Sequence, residues 1–315
     1  MGNAYFISRN KCPSCHSNRI RTIYKHPFSE PPIRDYLEDF YSSQGEIEFD
    51  YLKGANYSLA ECQGCNLIFQ EEILNDDLME RLYEHWIDPE KAFTRHQKQD
   101  GLDYYLYYAQ EIMQLIAYFN EVPSSLSFFD FSMGWGKWAQ MARAFGCTSY
   151  GSELSRQRID YAKSNGINIV AWDEIPRHHF HFINTEQVFE HIPDPLDTLI
   201  YLKKGLKSDG ILKISVPTAN DMKRRLRIMD WRAAKGSRNS LNPVAPLEHI
   251  NFFRRKSLLK MAAIAGMEEV FIPLKLLYQF TTNWSGTKRI AKNLLLPVYR
   301  NILKRQNYLF FRKAK

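Results

Sequence analysis

The sequence lacks the features of a membrane-spanning or secreted chain. No stretch approaches about 18 consecutive uncharged apolar residues, the length of a membrane-spanning helix. Residues 1–11 contain no apolar run of the kind that forms a signal peptide. Cysteine is also scarce: there are five, and four of them fall in two tight pairs, which does not suggest a disulfide framework. These absences predict a cytoplasmic protein.

What is present is the composition of a globular protein. Of the 315 residues, 44% are hydrophobic and 14% are aromatic, so a disordered or collagen-like chain is excluded. The length allows one large domain with an appendage, or two domains.

Positive charge is concentrated in two places. The formal net charge is +7, from 42 Lys and Arg against 35 Asp and Glu. Residues 270–315 contain ten Lys or Arg and no acidic residue, and residues 221–239 contain seven basic and two acidic residues. The remainder is mildly acidic, which weakens the inference from a pI near 9 that the chain binds nucleic acid.

Hydrophobic periodicity predicts an α/β fold from residue 124 onward, because short apolar segments alternate there with helical ones. The predicted strands cover 127–131, 148–152, 167–171, 180–184, 210–216 and 268–272. We divide the chain into a cysteine-containing module at 1–72, a helical connector at 73–123, an α/β domain at 124–273 and a basic amphipathic tail at 274–315.

Four of the five cysteines form two Cys-x2-Cys pairs, Cys12 with Cys15 and Cys62 with Cys65. Each pair can direct two thiolates at one tetrahedral ion, and four thiolates suit Zn²⁺. Gly64 is expected to permit the tight turn of the second pair. A closed four-sulfur site leaves no open coordination position, so its predicted role is structural. Reduced thiols without metal, or an iron site, are the alternatives.

A glycine-containing loop follows the first of these strands. The segment runs Asp130-Phe131-Ser132-Met133-Gly134-Trp135-Gly136, and Glu153 ends the next strand, 23 residues after Asp130. Glycines let the backbone approach a ligand, and a helix N-terminus favours a carboxylate or phosphate. An acidic residue after the second strand can accept both ribose hydroxyls. Together these features predict a nucleoside-cofactor site.

At these residues the sequence resembles the class I S-adenosylmethionine (SAM)-dependent methyltransferases, whose first motif is Asp-x-Gly-x-Gly-x-Gly. Later segments resemble family motifs in the same order: Glu190-His191-Ile192-Pro193-Asp194-Pro195, Leu206-Lys207-Ser208-Asp209-Gly210, Ile214-Ser215-Val216-Pro217 and Glu248-His249-Ile250-Asn251-Phe252-Phe253. Residues 1–70 resemble the zinc-binding module of a subgroup that methylates sugars. Ser132 stands where the family has a glycine, and its Cβ would narrow the turn if that position needs a positive φ.

The resemblance implies a Rossmann-like, seven-stranded methyltransferase sheet with a small N-terminal zinc-binding module, and SAM as the cofactor. It implies cofactor contacts from Asp130, Ser132, Gly134, Gly136, Glu153 and Asp173. If the acceptor is a hydroxyl, a general base helps to remove its proton. His249 is the first candidate for that base, with Glu248 orienting it or binding a hydroxyl, and His191 with Glu190 is the second. The alternative for His191 is a capping or packing role near the cofactor.

Two basic segments bear on the acceptor and its location. Arg224, Arg225 and Arg227 lie in an insertion that this fold places on the acceptor side, and guanidinium groups bind phosphates bidentately. A nucleotide-sugar or a lipid-linked glycan precursor would suit them; a solvated basic helix is the alternative. Residues 286–315 predict peripheral contact with the inner face of the plasma membrane. The alternative is a helix packed on the sheet or on a second subunit.

Three hypotheses for function follow. The first is SAM-dependent methylation of a sugar or glycan precursor. Oxygen is the preferred acceptor, because carbon-methylating relatives usually carry a further C-terminal domain and few residues follow 272. The second is RNA methylation, but Asn184-Thr185-Glu186-Gln187 lacks the motif used for base amino groups, so nucleic acid is not the favoured partner. The third is a degenerate methyltransferase fold that acts as a membrane or complex scaffold. The oligomeric state is left open.

Overall fold

The computed structural model divides the chain into two compact units. It describes residues 4–43, 45–88, 91, 93–94, 101–234, 237–241, 243–244, 246–282, 284, 286–298 and 308–315. The cysteine unit gathers Met1–Gln99, Glu190–Leu196 and Pro217–Ile264, and the sheet unit gathers Asp100–Phe189, Asp197–Val216 and Ala265–Lys315. Among the described helices, none combines the length and the apolar character needed to cross a membrane.

The secondary structure follows the chain in this order. The strands are β1 (Phe6–Ser8), β2 (Ile20–Pro27), β3 (Asn56–Cys62), β4 (Ile68–Gln70), β5 (Glu72–Leu74), β6 (Ser127–Phe131), β7 (Thr148–Ser152), β8 (Asn168–Ile169), β9 (Phe180–Glu186), β10 (Leu206–Ser215), β11 (Asn251–Phe252), β12 (Met267–Val270) and β13 (Tyr308–Lys313). The α-helices are α1 (Ile33–Ser42), α2 (Asp76–Arg81), α3 (Leu102–Phe119), α4 (Lys137–Ala144), α5 (Arg156–Ser164), α6 (Pro195–Lys204), α7 (Met222–Ile228), α8 (Arg255–Ile264), α9 (Leu274–Gln279) and α10 (Thr287–Leu294).

The sheet unit contains a seven-stranded sheet in the order β12-β13-β10-β9-β6-β7-β8. The strands from β10 to β8 pair in parallel, whereas β13 is antiparallel to both β10 and β12. The central strand β9 is buried along almost its whole length, as expected for a parallel strand covered on both faces. The predicted seven-stranded α/β fold is confirmed.

Helix α3 shows how sequence spacing places a polar side chain inside the sheet unit. The helix begins after Gly101 and ends at Asn120, which adopts a left-handed φ of 54°. Its buried residues include Tyr108, Glu111 and Leu115, spaced three and four apart, so they share one face. Glu111 is the acidic member of this otherwise apolar stripe.

The cysteine unit is built from strands that pair antiparallel. One sheet has the order β11-β4-β3-β2, and β1 pairs with β5 in a second, two-stranded sheet. Its apolar core includes Phe28, Tyr41 and Trp86 from the first segment together with Trp231 and Phe252 from the last. Residues 217–264 therefore complete the module that the sequence analysis confined to 1–72.

The last described strand lies where the sequence analysis placed only an amphipathic tail. Leu309 and Phe311 of β13 are buried, and β13 lies between β10 and β12. The boundary predicted at residue 273 therefore does not end the sheet. Part of the proposed membrane segment, residues 299–307, lies outside the described residues.

Candidate active site

The glycine loop has three residues in the left-handed region. Ser132, Gly134 and Gly136 have φ values of 55°, 56° and 71°. A Cβ built on Gly134 would meet nothing within 4 Å, so the space beside this residue is open to a ligand. Ser132 therefore does adopt the positive φ that the family glycine would accept more easily, at a cost of about 1–2 kcal/mol for a residue with a Cβ.

Glu153 closes this loop from the end of β7. Its Oε2 accepts the backbone N–H of Gly134 at 2.8 Å, and its Oε1 accepts the N–H of Leu154 at 3.0 Å. Its carboxylate is largely buried, and Arg158 approaches to 3.7 Å. The second strand therefore presents its acidic residue to the glycine loop, and the contact of Glu153 with a ribose stays a prediction.

A buried polar row crosses the sheet at the level of the loop. Asp130 of β6 is in register with Asn184 of β9, which is in register with Lys213 of β10. Asn184 Nδ2 donates to Asp130 Oδ1 at 2.8 Å, and Asn184 Oδ1 has no hydrogen-bond partner among the described residues. Burial raises the pKa of Asp130 to about 7, although the bond from Asn184 opposes this and nearby Glu186 adds to it.

Lys213 joins this row to two carboxylates that the sequence analysis did not single out. Its Nζ lies 2.8 Å from Glu111 and 3.1 Å from Glu186, and Glu111 also accepts Trp138 Nε1–H at 2.7 Å. Burial works against the ammonium, but Glu111, Tyr107 and Glu186 outweigh it and raise its pKa. The signal in the sequence was a lone lysine inside the apolar run of β10.

Asp173 was predicted to contact the cofactor, and its side chain is exposed to solvent. It is exposed on a short 3-10 helix that covers Trp172–Arg177. At the start of this short helix, Glu174 Oε2 accepts the backbone N–H of Ala171 at 3.0 Å. Within the described part of the chain, no hydrogen bond or ion pair joins Asp173 to the glycine loop, so its cofactor contact stays a prediction.

The four predicted metal ligands converge in the cysteine unit. One sulfur distance is 3.6 Å between Cys12 and Cys65, and another is 3.6 Å between Cys15 and Cys62. All four sulfurs lie within 4.8 Å of one another. Bonds of about 2.3 Å in a tetrahedral site place thiolate sulfurs about 3.8 Å apart, so the arrangement fits Zn²⁺.

The two cysteine turns have the same backbone conformation. The residue after each second cysteine, His16 or Asn66, has a positive φ of 54° or 66°. Each donates its N–H to the carbonyl of the first cysteine, at 2.8 and 2.9 Å. The expectation that Gly64 makes the turn is therefore wrong: the left-handed position is Asn66, and a Cβ on Gly64 would make only ordinary contacts.

A second convergent cluster contains Glu190, His191 and His249. One ligand-type atom from each lies within 4.8 Å of the others, and the imidazole centroids are 4.9 Å apart. Burial lowers the pKa of His191 to about 3, and His249 adds to this effect, so the His191 imidazole is neutral. The structure therefore brings together three of the four residues predicted to be catalytic.

Glu248, the fourth, does not orient His249 through its carboxylate. Its Oε1 accepts the hydroxyl of Tyr41 at 2.6 Å, and its backbone carbonyl lies 2.9 Å from His191 Nδ1. His249 Nδ1 instead lies 2.7 Å from the carbonyl of Pro243. The expected pairing is wrong because a buried tyrosine already satisfies the carboxylate.

Arg9 holds the two histidine-bearing segments in place. Its guanidinium donates to the carbonyls of Pro193 at 3.1 Å and Ile250 at 2.8 Å, and to Asn251 Oδ1 at 2.9 Å. Burial lowers its pKa to about 9, while Asp194 opposes this shift. No local sequence pattern indicates this role, because the bonded segments lie far from residue 9 along the chain.

The three arginines proposed to bind phosphate have different roles in the structure. Arg224 donates to Asn239 and Arg238, and Arg225 donates to the carbonyl of Ser240, so both hold a loop. Arg227 lines an open groove of about 380 Å³. Its lining residues are Arg21, Thr22, Ile23, Lys223, Leu226 and Arg227.

The comparisons with known proteins agree with this architecture. A family model described as a methyltransferase domain matches residues 95–270, more than half of the chain. The chain therefore belongs to this methyltransferase family. With its glycine loop and Glu153 on the predicted sheet, it is a SAM-dependent methyltransferase. No curated protein matches the chain.

Solved structures show similarity at low sequence identity. The plantazolicin methyltransferase BpumL, in complex with a pentazolic desmethylPZN analog and SAH, is 13% identical, over 76% of this chain and 95% of that one, with a TM-score of 0.49. PKMT2 from Rickettsia typhi with AdoHcy is 14% identical over 65% and 52%, with a TM-score of 0.41. A SAM-dependent methyltransferase from Thermotoga maritima, a possible histamine N-methyltransferase, is 17% identical over 56% and 79%, with a TM-score of 0.38.

Proposed function

We propose that the protein transfers the methyl group of SAM to a hydroxyl of a sugar or glycan precursor. The observation that carries the proposal is the orientation of His249. Because its Nδ1 donates to the carbonyl of Pro243, its Nε2 carries a lone pair that can accept a proton. In the reaction, the methyl–sulfur bond breaks as the methyl–oxygen bond forms, and the hydroxyl proton goes to Nε2. The products are the methyl ether and S-adenosylhomocysteine (SAH).

The sheet unit has the groups that the cofactor requires. The open space beside Gly134 and the Glu153 carboxylate suit the nucleoside, and the unsatisfied Oδ1 of Asn184 can accept from the ammonium of the methionine part. Asp130 supplies negative charge beside it. SAM, when bound, provides the electrophilic methyl carbon.

A steady-state assay with a panel of sugar and nucleotide-sugar acceptors tests the proposal. We expect SAH formation with at least one hydroxyl acceptor, and His249→Ala should lower kcat about 10²–10⁴-fold while SAM affinity is unchanged. His179→Ala, which removes an exposed histidine of the sheet unit, is the matched control. SAM binding without turnover on any hydroxyl acceptor would contradict the acceptor class, and absence of SAM binding would contradict the reaction.

The groove beside Arg227 supports a phosphorylated acceptor. Buried Glu61 receives Lys223 at 2.6 Å, Arg254 at 3.3 Å and Arg21 at 3.7 Å, so one carboxylate faces three cations. Arg227 adds a further positive charge at the same groove. This excess charge is complementary to a phosphate or diphosphate.

Reversing one charge in this groove tests its role in acceptor binding independently of cofactor binding. Arg227→Glu should raise KM for a phosphorylated acceptor by at least about tenfold and leave KM for SAM unchanged. Lys260→Glu, at an exposed position of the same unit, is the control. An unchanged KM for the phosphorylated acceptor would contradict the assignment. Arg224 and Arg225 are poor test positions because they hold the loop at 238–240.

The cysteine site is proposed to hold one structural Zn²⁺, and the geometry of the four sulfurs supports it. Metal analysis of the purified protein should find zinc on the four thiols, and Cys65→Ser should lose it.

Peripheral membrane contact is proposed for α10. Ile290 and Leu294 are 39% and 64% exposed, and the helix carries Lys288 and Lys292 with no acidic residue. Vesicles containing anionic lipid should bind the protein, and Ile290→Glu with Leu294→Glu should abolish binding. Deleting residues 286–315 is an unsuitable test, since it removes β13.

A further inference from the structure

The cluster of Glu190, His191 and His249 has the composition of a metal site distinct from the four cysteines. His191 Nε2 lies 4.0 Å from Glu190 Oε1, and the two imidazole planes meet at 73°. One ligand-type atom of each residue lies within 4.8 Å of the other two. All three residues belong to the cysteine unit, so the cluster is formed within one compact body.

Both imidazoles have the same hydrogen-bonding arrangement. His191 Nδ1–H donates to the carbonyl of Glu248, and His249 Nδ1–H donates to the carbonyl of Pro243. A backbone carbonyl has no proton to give, so each Nδ1 bears a proton and each Nε2 is the nitrogen left to bind an ion. Histidines that bind metals are held in this way, with one nitrogen on a carbonyl and the other on the ion.

A small cavity lies against two of the three groups. It measures about 10 Å³, and its lining includes Glu190, His249, Thr218 and Asn251. This volume accommodates a single water-sized body. The surrounding backbone is rigidly tied: Ile250 and Asn251 both donate their N–H to the carbonyl of Glu190.

The donor set narrows the choice of ion. Imidazoles bind a metal in their neutral form, so two of them with one carboxylate would give the ion one negative charge, which favours a divalent cation; the nitrogen donors favour first-row metals over Ca²⁺ or Mg²⁺. Metal–ligand bonds of about 2.0–2.2 Å require ligand atoms about 3–3.5 Å apart, so the side chains would close by about 1 Å on binding. Three protein ligands leave coordination positions open.

We infer that Glu190, His191 and His249 bind one divalent first-row transition-metal ion, such as Mn²⁺, Fe²⁺ or Zn²⁺, at a site separate from the four cysteines. When bound, the ion would take the place of the His249 Nε2 lone pair in activating the acceptor: it would hold the hydroxyl at an open position and lower its pKa, so that the proton leaves to water before the methyl group moves from sulfur to oxygen. That use of the ion rests on the proposed function, whereas binding of the ion does not.

The experiment uses the full chain with its cysteine site loaded with zinc. Mn²⁺ is titrated in alone and followed by the loss of the free-ion electron paramagnetic resonance signal, because Mn²⁺ prefers oxygen and nitrogen donors and leaves the thiolates to zinc. We expect one Mn²⁺ per chain, with nitrogen couplings from two imidazoles in the spin-echo spectrum. Glu190→Gln, His191→Asn and His249→Ala should each weaken binding by at least about tenfold.

Two controls make the result decisive. His179→Ala should bind Mn²⁺ as the wild type does, and zinc content and circular dichroism should show that each cluster variant is folded. Absence of Mn²⁺ binding, or binding that the three variants do not change, would overturn the inference. SAM binding, measured by calorimetry on the same samples, reports on the sheet unit: if it persists without metal binding, only the metal site fails and the proposed methyltransferase function stands.

Discussion

The two units of this protein are assembled by different rules. In the sheet unit, β6, β7 and β8 are consecutive strands joined by α4 and α5, so neighbours along the chain are neighbours in the sheet. In the cysteine unit, Arg9 bonds to carbonyls 184 and 241 residues away. Local patterns therefore account for the strands β6 to β8 of the sheet unit, whereas the cysteine unit depends on contacts between distant segments.

Metal removal should break the cysteine unit and leave the sheet unit folded. Zinc bound to four thiolates contributes about 10–16 kcal/mol to folding, which is more than a small module can lose. After chelation, hydrogen exchange should rise in residues 4–88 and also in residues 246–264, because β11 pairs with β4 in one sheet. Peptides from β6 and β9 should keep their protection from exchange. The control variant Cys147→Ala, which changes a cysteine outside the proposed zinc site, should show the same exchange as the wild type before chelation. Exchange confined to residues 4–74 would show that the two segments are independent.

Of the substitutions considered for the sheet unit, Lys213→Met should lower the free energy of unfolding most. The substitution leaves Glu111 and Glu186 without their cation, and breaking a buried ion pair costs about 3–5 kcal/mol. Urea unfolding monitored by tryptophan fluorescence measures the loss. Lys163→Met, at an exposed position on α5, should change stability by less than about 0.5 kcal/mol. Equal stability of the two variants would contradict the importance of the buried network.

Asp130 should make the stability of the cofactor-free sheet unit depend on pH. Its folded pKa of about 7 lies above its ordinary value of 3.8, so the folded state retains a proton that the unfolded state releases. The contribution of Asp130 to the free energy of unfolding is therefore greatest below pH 4. It falls as pH rises to about 7, by at most about 4 kcal/mol. Asp130→Asn should flatten this dependence in thermal melts, and an unchanged profile would contradict it.

The same carboxyl should influence SAM binding. As pH rises through about 7, Asp130 gains a negative charge beside the site proposed for the cationic cofactor, so SAM affinity should rise several-fold. Calorimetry between pH 6 and 8 measures this. Affinity for SAM should become independent of pH in Asp130→Asn, and a parallel rise in that variant would assign the effect to another group.

Ser132→Gly should give the smallest effect, and a stabilising one. A serine at φ 55° bears the cost of a Cβ in the left-handed region, and removing it should raise stability by about 1 kcal/mol. Ser155→Gly is the matched control, because Ser155 has an ordinary φ of −67° and should be destabilised. A loss of stability in Ser132→Gly would show that the serine side chain has a role of its own.

The comparison of the units also explains what the sequence could predict. The strands β6 and β7 lie where periodicity placed them, and the helix α3 lies within the predicted helical connector. Glu153, which its spacing from Asp130 singled out, bonds to the glycine loop. The four cysteines were identified in the same way, since their spacing is a local pattern.

Other features depended on tertiary contacts that no local pattern encodes. The carbonyl of Pro243 orients His249, although Glu248 is its neighbour in sequence. Lys213 is the one charged residue in the apolar second half of β10, residues 211–215, and its role as an ion-pair partner depends on Glu111, which lies 102 residues earlier. Burial determines such pairings, because a buried charge without a partner costs a large free energy.

The position of β13 has a consequence for how the chain acquires its structure. The strand lies between β10 and β12, yet it follows β10 by about ninety residues, a separation that slows pairing through the entropy of loop closure. During synthesis β10 and β12 leave the ribosome well before β13. Until then the edge of β10 is an open row of unpaired backbone groups beside apolar side chains, the kind of edge on which chains aggregate. Nascent chains of this protein should therefore need protection at that edge until residues 308–313 emerge.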